Sequence, residues 1–159
     1  MFNANNEVAI VGVGPSRFGR KQDRAIGALA VDASLAAIAD AGLTVADIDG
    51  AMLYDGFAPD IYWWLEGLGF CDRGEAFEWI QDGRIAIDGE FPINTFGGQV
   101  SEGRLHGIGH WVEGVRQIQG CADDQPGDGA RQIPDVENIL VATGMLRHGV
   151  GVILSTEPR

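Results

Sequence analysis

Apolar positions change period several times along this chain, and each change predicts an element. Val8-Ala9-Ile10-Val11-Gly12-Val13 is a near-continuous apolar run ending in glycine, the pattern of a buried central strand. From Ala25 to Ala41 the spacing becomes helical: Ile26, Leu29, Ala30, Ala33, Ala37 and Ile38 form one stripe, and Gly42 stands as its stop. The alanines in that stripe are small enough to let a helix lie close to a sheet. After a turn over residues 45–50, Ala51-Met52-Leu53 is a second short strand, and strand, helix and strand in this order predict a parallel α/β unit. Ile61, Trp63, Trp64 and Leu65 form an apolar helical turn whose two tryptophans point in different directions, so one of them is expected at the surface. Residues 75–80 predict another short helix. Arg84-Ile85-Ala86-Ile87 reads as an edge strand or ribbon, and Asp88-Gly89 as a turn into the extended run 90–94.

Ile108, Trp111, Val112, Val115 and Ile118 then recur at helical spacing between Gly107 and Gln119, with Glu113, Arg116 and Gln117 on the opposite side. Ile139–Thr143 and Val150–Leu154 are two apolar strands joined by a short loop, hence antiparallel. The predicted fold is a layered α/β domain. Its mixed sheet is built from the strands near Val8, Ala51, Ile139 and Val150, with the Arg84 segment as a candidate addition, and is covered by the Ala25 and Ile108 helices.

A length of 159 residues suits one domain, which buries about two-thirds of its unfolded surface. The 23 acidic residues against 11 basic ones give a formal charge of -12, which repels phosphate backbones and anionic membranes and argues against nucleic-acid binding. Two cysteines, Cys71 and Cys121, make neither a disulfide framework nor a zinc quartet. Residues 1–7 have no basic region and no long apolar core, and no apolar run is long enough to span a bilayer, so a soluble cytoplasmic protein is expected.

Candidate chemistry concentrates between Asn94 and Trp111. Gly97, Gly98, Gly103, Gly107 and Gly109 alternate there with Ser101, Glu102, Arg104, His106 and His110, and the run opens onto a helix N-terminus. Such a loop lets backbone N–H groups approach a ligand, and the helix end favours negative charge or a developing oxyanion. The plainer alternative is a tight turn beneath a helix. Elsewhere, Gly12-Val13-Gly14-Pro15-Ser16-Arg17 fails as a dinucleotide fingerprint, because Arg17 stands where the third glycine belongs. Asp123, Asp124 and Asp128 lack a regular ligand spacing and read as a solvated loop, so no metal site is assigned.

Gly97-Gly98 followed by Gly103, Gly107 and a helix resembles the C-terminal catalytic loop of the thiolase superfamily, closest to the sterol-carrier or lipid-transfer-protein thiolases and the related acyl-CoA aldolases. The stretch "VAIVGVGPSRFGR", the alanine helix and "AGLTVADIDG" resemble the start of that family's N-terminal half. Tyr54-Asp55-Gly56-Phe57-Ala58-Pro59, running on to the "LGFC" turn at Cys71, is similar to its C-terminal half. The resemblance divides a single thiolase-like half-domain into residues 8–50 and 51–155 and implies an internally shortened version of a chain more than twice as long.

What the resemblance implies for function follows from which positions match. Neither cysteine stands where the thiolase nucleophile belongs, so a carbon–carbon condensation through an acyl-cysteine is not expected of this chain alone. The aldolase branch, which moves protons on a β-hydroxy thioester, fits better. There Tyr54 matches the family's Tyr or His. Arg104 falls where the family carries His or Tyr; always protonated, it can bind an enolate, carboxylate or phosphate but cannot act as a base. His106, two residues on, is the candidate proton-transfer group, although His106 and His110 equally suit ordinary helix-start positions. Gly97, Gly98, Ser101, Gly103 and Gly107 would form the acyl-CoA loop. The implied substrate is a coenzyme A thioester of a fatty or steroid-like acid, with no bound cofactor. The implied partners are a second copy of the chain and an OB-fold protein with a zinc ribbon. Two alternatives stand beside impaired lyase or acyltransferase activity: a non-catalytic acyl-CoA or lipid binding module, and a dimerising fragment that exposes Trp63, Trp64 and Trp111 until it pairs.

Overall fold

The computed structural model describes residues 8–17, 23–124, 130–145 and 148–158. Its elements in chain order are β1 (Ala9–Pro15), α1 (Ile26–Asp40), β2 (Gly50–Leu53), α2 (Asp60–Leu68), α3 (Ala76–Trp79), α4 (Gly98–Ser101), α5 (Ile108–Ile118), β3 (Asn138–Met145) and β4 (His148–Ser155). The four strands form one mixed sheet in the order β1-β4-β3-β2. β2 runs parallel to β3, and β4 runs antiparallel to both β3 and β1. The fold is therefore α/β, with helices on both faces of a mixed sheet.

α1 carries the chain from β1 at one edge to β2 at the other, so β1 and β2 point the same way, as the strand–helix–strand pattern predicts. The crossover spans two strands, because β4 and β3 are inserted between them. One finding differs from the pattern's first implication: β1 is an edge strand, not a central one. α1 covers one of its faces, while Ile10 and Val13 on the other stay exposed. α5, the helix on that second face, packs on β2, β3 and β4.

α1 approaches the sheet by means of small residues on both sides. A Cβ at Gly14 would lie 1.9 Å from the carbonyl oxygen of Ala33, and one at its register partner Gly151 would lie 2.4 Å from Cα of Ser34. Gly12 and Gly149 meet Ala37 and Ala30 in the same way. Leu53, Leu65, Leu68, Leu140 and Ile153 fill the remaining volume between this face, α1 and α2, while Met52, Ile118, Val141 and Leu154 form the core beneath α5.

Residues 84–87 form no strand. The backbone there closes short turns, Ala86 N–H to the Gly83 carbonyl and Gly89 N–H to the Ala86 carbonyl, at 2.9 Å each. Gly83 takes a φ of 74°, and a Cβ at Gly89 would fall 2.3 Å from the Arg84 carbonyl. The turn is closed from outside by Arg84, whose guanidinium lies 4.9 Å from the Trp79 ring centroid and whose Nε reaches Glu90 at 3.0 Å. Trp63 is 66% exposed and Trp64 buried, as expected of neighbours on a helix; the exposed trio drawn from the dimerising alternative is thereby reduced, since Trp64 lies in the core.

The face of α5 is rotated from the one expected. Trp111, Val115 and Ile118 of its apolar stripe do pack on the core, yet Ile108 and Val112 are exposed while His110, Glu113 and Gln117 are buried. Gly114 makes this possible: a Cβ there would lie 2.8 Å from Val141, so the helix sits against β3 along its polar stripe. Part of this buried polarity is compensated, while Glu113 Oε2 and His110 Nδ1 have no hydrogen-bond partner among the described residues. Glu113 Oε1 accepts from the Thr95 hydroxyl at 2.7 Å and from Gln117 Nε2 at 3.1 Å, and Gln117 Oε1 accepts the Ile133 N–H at 2.8 Å. Burial of such groups is tolerable only because these partners exist.

Candidate functional site

Tyr54 and Asp55 leave the C-terminal end of β2 into a tightly held turn. The Tyr54 N–H donates to the Ala142 carbonyl at 2.9 Å, continuing the ladder with β3, and the Tyr54 carbonyl accepts the Trp64 indole N–H at 2.9 Å. One residue earlier, Asn94 imitates a neighbouring strand. Its Oδ1 accepts the Leu53 N–H and its Nδ2 donates to the Leu53 carbonyl, both at 2.8 Å, from a left-handed backbone with φ 49° that Asn tolerates better than most residues. Asn94→Ala is expected to cost about 2 kcal/mol, from two lost hydrogen bonds and a disfavoured φ. A urea midpoint unchanged by the substitution would contradict this anchoring role.

Asp55 is the electrostatic centre of the site. Its Oδ1 accepts the Gln99 N–H at 2.8 Å and lies 3.1 Å from His110 Nε2, while its Oδ2 accepts the Val100 N–H at 3.4 Å. Burial alone would raise the carboxyl's pKa. The His110 hydrogen bond, the Gln99 amide, the nearby imidazole charge and the Val100 amide together outweigh it, and the group is held below its usual 3.8. Gly98 is required for this approach, since at φ 65° a Cβ would stand 2.0 Å from Oδ2. Two amides of the glycine-rich loop are thus engaged by an internal carboxylate.

His110 is wholly buried. Its ring stacks on Tyr54 with centroids 5.9 Å apart and meets the edge of Phe96 at 5.1 Å. The bond to Asp55 assigns the proton to Nε2 and leaves Nδ1 without a hydrogen-bond partner among the described residues. Gly107, at φ 93°, packs between Thr143 and the Tyr54 ring and brings the start of α5 into this cluster.

Of the residues singled out by sequence, the fold gathers Tyr54, Gly98, Gly107 and Arg104. Arg104 Nη2 donates to the Gly56 carbonyl at 2.7 Å, and its guanidinium lies 5.5 Å from the Phe57 ring centroid. Gly56 in turn abuts the Tyr54 ring. Gly97, Ser101, Gly103 and His106 lie on the exposed side of the loop. His106 has a φ of 50° and takes no part in the cluster's hydrogen bonds among the described residues. The pattern passed over Asp55, Gln99, His110, Glu113 and Gln117 as a set. The available signal was the spacing of His110, Glu113 and Gln117, which lie on one helical face together.

Tyr54 faces an apolar cavity of about 790 Å³ between α1 and α2, lined also by Val31, Leu35, Phe57, Trp63 and Trp64. Cys71 lies apart from it, half-buried, with burial and then Glu66, Glu75 and Asp72 raising its thiol pKa, the opposite of an activated nucleophile. Asp123 accepts the backbone N–H groups of Arg131 and Gln132 at 2.6 and 2.8 Å, so this carboxylate braces a loop; Asp128 lies outside the described residues. Among the described residues no group of three or more His, Cys, Asp or Glu side chains is placed to hold a metal ion, and no helix is long and apolar enough to cross a membrane.

A family model described as thiolase C-terminal domain-like matches residues 16–157. The chain belongs to that family. The match takes in residues 16–50 along with the remainder, so it crosses the division at residue 50 that the resemblance suggests. Among curated relatives, this thiolase-like chain is 43% identical over 119 residues to a steroid side-chain-cleaving aldolase of Thermomonospora curvata, covering 75% of the chain and 29% of that protein. It is also 43% identical over 116 residues to a 17-hydroxy-3-oxo-4-pregnene-20-carboxyl-CoA lyase of Mycobacterium tuberculosis, covering 73% and 28%. A solved Ltp2-ChsH2(DUF35) aldolase superposes with a TM-score of 0.76 at 34% identity, over 92% of this chain and 38% of that one. A monomeric SCP2-thiolase-like protein from Mycobacterium smegmatis shares the fold at TM-score 0.63 and 20% identity. The thiolase-like chain thus spans under a third of the curated relatives it matches. It stands in the aldolase and sterol-carrier branch of the superfamily.

Proposed function

We propose that this chain acts on coenzyme A thioesters as a carbon–carbon lyase of retro-aldol type, in lipid or steroid side-chain breakdown, with turnover limited by the replacement at Arg104. The observation that carries the reading is Tyr54, clamped through its backbone and stacked on the Asp55–His110 pair, at the wall of a cavity large enough for a bulky acyl group. In the reaction a base removes the proton of the β-hydroxyl and the Cα–Cβ bond breaks. Its electron pair passes to the thioester as an enolate, and a proton returned to Cα yields a carbonyl product and a shortened thioester. Tyr54 is assigned the hydroxyl proton, Arg104 the enolate oxygen, and His106 the second proton transfer from the loop formed with Gly97, Gly98, Ser101, Gly103 and Gly107. No covalent nucleophile is needed, which agrees with the raised Cys71 thiol.

Tyr54→Phe is expected to lower kcat for a β-hydroxyacyl-CoA about a hundredfold while leaving thermal stabilisation by the thioester in place. Loss of thioester binding without a separate loss of turnover would remove Tyr54 from proton transfer. A second reading, a binding module without turnover, is favoured by the fixed charge at Arg104; under it the thioester binds, no ketone forms, and both Tyr54→Phe and His106→Ala keep full affinity. A homodimer and a DUF35-type partner belong to the same proposal. Light scattering of the chain alone and with such a partner tests both, and a monomer that ignores the partner counts against them.

A further inference from the structure

Arg104 and the α1–α2 cavity together carry a reading that does not depend on thioester chemistry. Arg104 does not itself line the cavity, but it lies next to it: the two residues it touches, Gly56 through its carbonyl and Phe57 through its ring, belong to the lining. Only its Nη2 is engaged among the described residues, which leaves most of the planar donor fork for another acceptor. The lining behind it is apolar: Leu35 and Val31 from one helix, Trp63 and Trp64 from the other, and Phe57 at the mouth. The cation that lines the cavity, Arg24, is paired with Asp32.

We infer that this cavity binds free carboxylic acids with a bulky apolar body, seating the body between α1 and α2 and the carboxylate on Arg104. A carboxylate matches the planar fork with two parallel bonds, which a neutral thioester carbonyl cannot do. Charge favours a monoanion over a phosphate. Asp60 lines the same rim, where its Oδ2 accepts the Phe57 N–H at 3.0 Å, and Glu102 is two residues from Arg104. With a formal charge of -12 on the chain and Arg24 paired with Asp32, Arg104 is the guanidinium left to meet a ligand at this cavity, so a dianion or the several phosphates of a nucleotide would meet net repulsion. The volume of about 790 Å³ lies within the range that encloses a polycyclic ligand.

The test follows tryptophan fluorescence, with exposed Trp63 as reporter, while the full chain is titrated with cholic acid below its micelle concentration, with its methyl ester, and with coenzyme A alone. Wild type is expected to bind the acid about tenfold or more tighter than the ester, as a charge-assisted hydrogen bond to Arg104 requires. Arg104→Met should bring the acid down to the affinity of the ester, and Arg104→Lys should retain part of the difference; circular dichroism confirms that both variants fold. Equal affinity for acid and ester, an undiminished acid affinity in Arg104→Met, displacement of the acid by coenzyme A, or no binding of either ligand at millimolar concentration would each overturn the inference. The lyase proposal fails separately. Acid binding without thioester cleavage removes the lyase and leaves this site standing, and cleavage without discrimination between acid and ester does the reverse.

Discussion

Asp55→Asn is expected to destabilise the protein by about 3 kcal/mol and to lower its melting temperature by about 6–12 °C. The substitution keeps the shape and reverses the chemistry. Three donors converge on the carboxylate, from Gln99 N–H, Val100 N–H and His110 Nε2. An amide offers one oxygen and an NH₂ group, so at least one buried donor is left facing another donor. The same site predicts a pH dependence. Because the folded carboxyl is held below its usual 3.8, its ionised form is favoured by folding. That contribution is fully present above the unfolded value and is lost as pH falls through the depressed folded one. Urea unfolding between pH 7 and pH 3 should show the wild type losing stability below about pH 4, with that part of the acid limb missing in Asp55→Asn. Parallel acid limbs in the two proteins would show that Asp55 contributes nothing through its charge.

Gly14→Ala is expected to cost at least about 3 kcal/mol and to leave the protein largely unfolded at modest denaturant concentrations. The added methyl would fall 1.9 Å from the Ala33 carbonyl and 2.6 Å from the Ala37 nitrogen. These are backbone atoms of α1, so no side-chain rotation relieves the clash, and the helix as a whole must lift from β1 and β4. Gly27→Ala supplies the opposite sign. It lies in the first turn of α1 with nothing within 4 Å of the new methyl, so it should stabilise by about 0.4–1 kcal/mol. One chemical change at two glycines, read by urea midpoint, then separates close packing from chain entropy. Similar shifts at both positions would mean that α1 does not rest on the glycines.

Several features were legible without a structure because they depend on local spacing. The alanine stripe 29–38 matched a close helix–sheet layer, since alanines on the helix and glycines on the strands are what such proximity requires. The two apolar runs after Ile139 paired as an antiparallel hairpin for the equally local reason that a short connection allows nothing else. The thiolase-like character was legible in the glycine pattern 97–107 and in the turn that begins at Tyr54. The Arg84 segment misled because its alternation resembles a ribbon, while Gly83 and Gly89 close it into turns.

What tertiary structure decided was the partner of each polar group. Periodicity places Glu113, Arg116 and Gln117 opposite the apolar stripe and leaves His110 an ordinary helix-start position, because a side chain's cost of burial cannot be judged without knowing which acceptors and donors await it. Those partners, Asp55, Thr95 and the backbone of Ile133, lie 55, 18 and 16 residues away in sequence. Gly114 then draws α5 down on its polar side, and Ile108 and Val112 are turned outward in consequence. Local sequence thus determined most of the elements, the Arg84 segment excepted, and how closely α1 could approach the sheet. Long-range hydrogen bonding, together with the close approach at Gly114, decided which polar residues α5 buries beside Ile118, and with it the Asp55–His110 pair behind Tyr54.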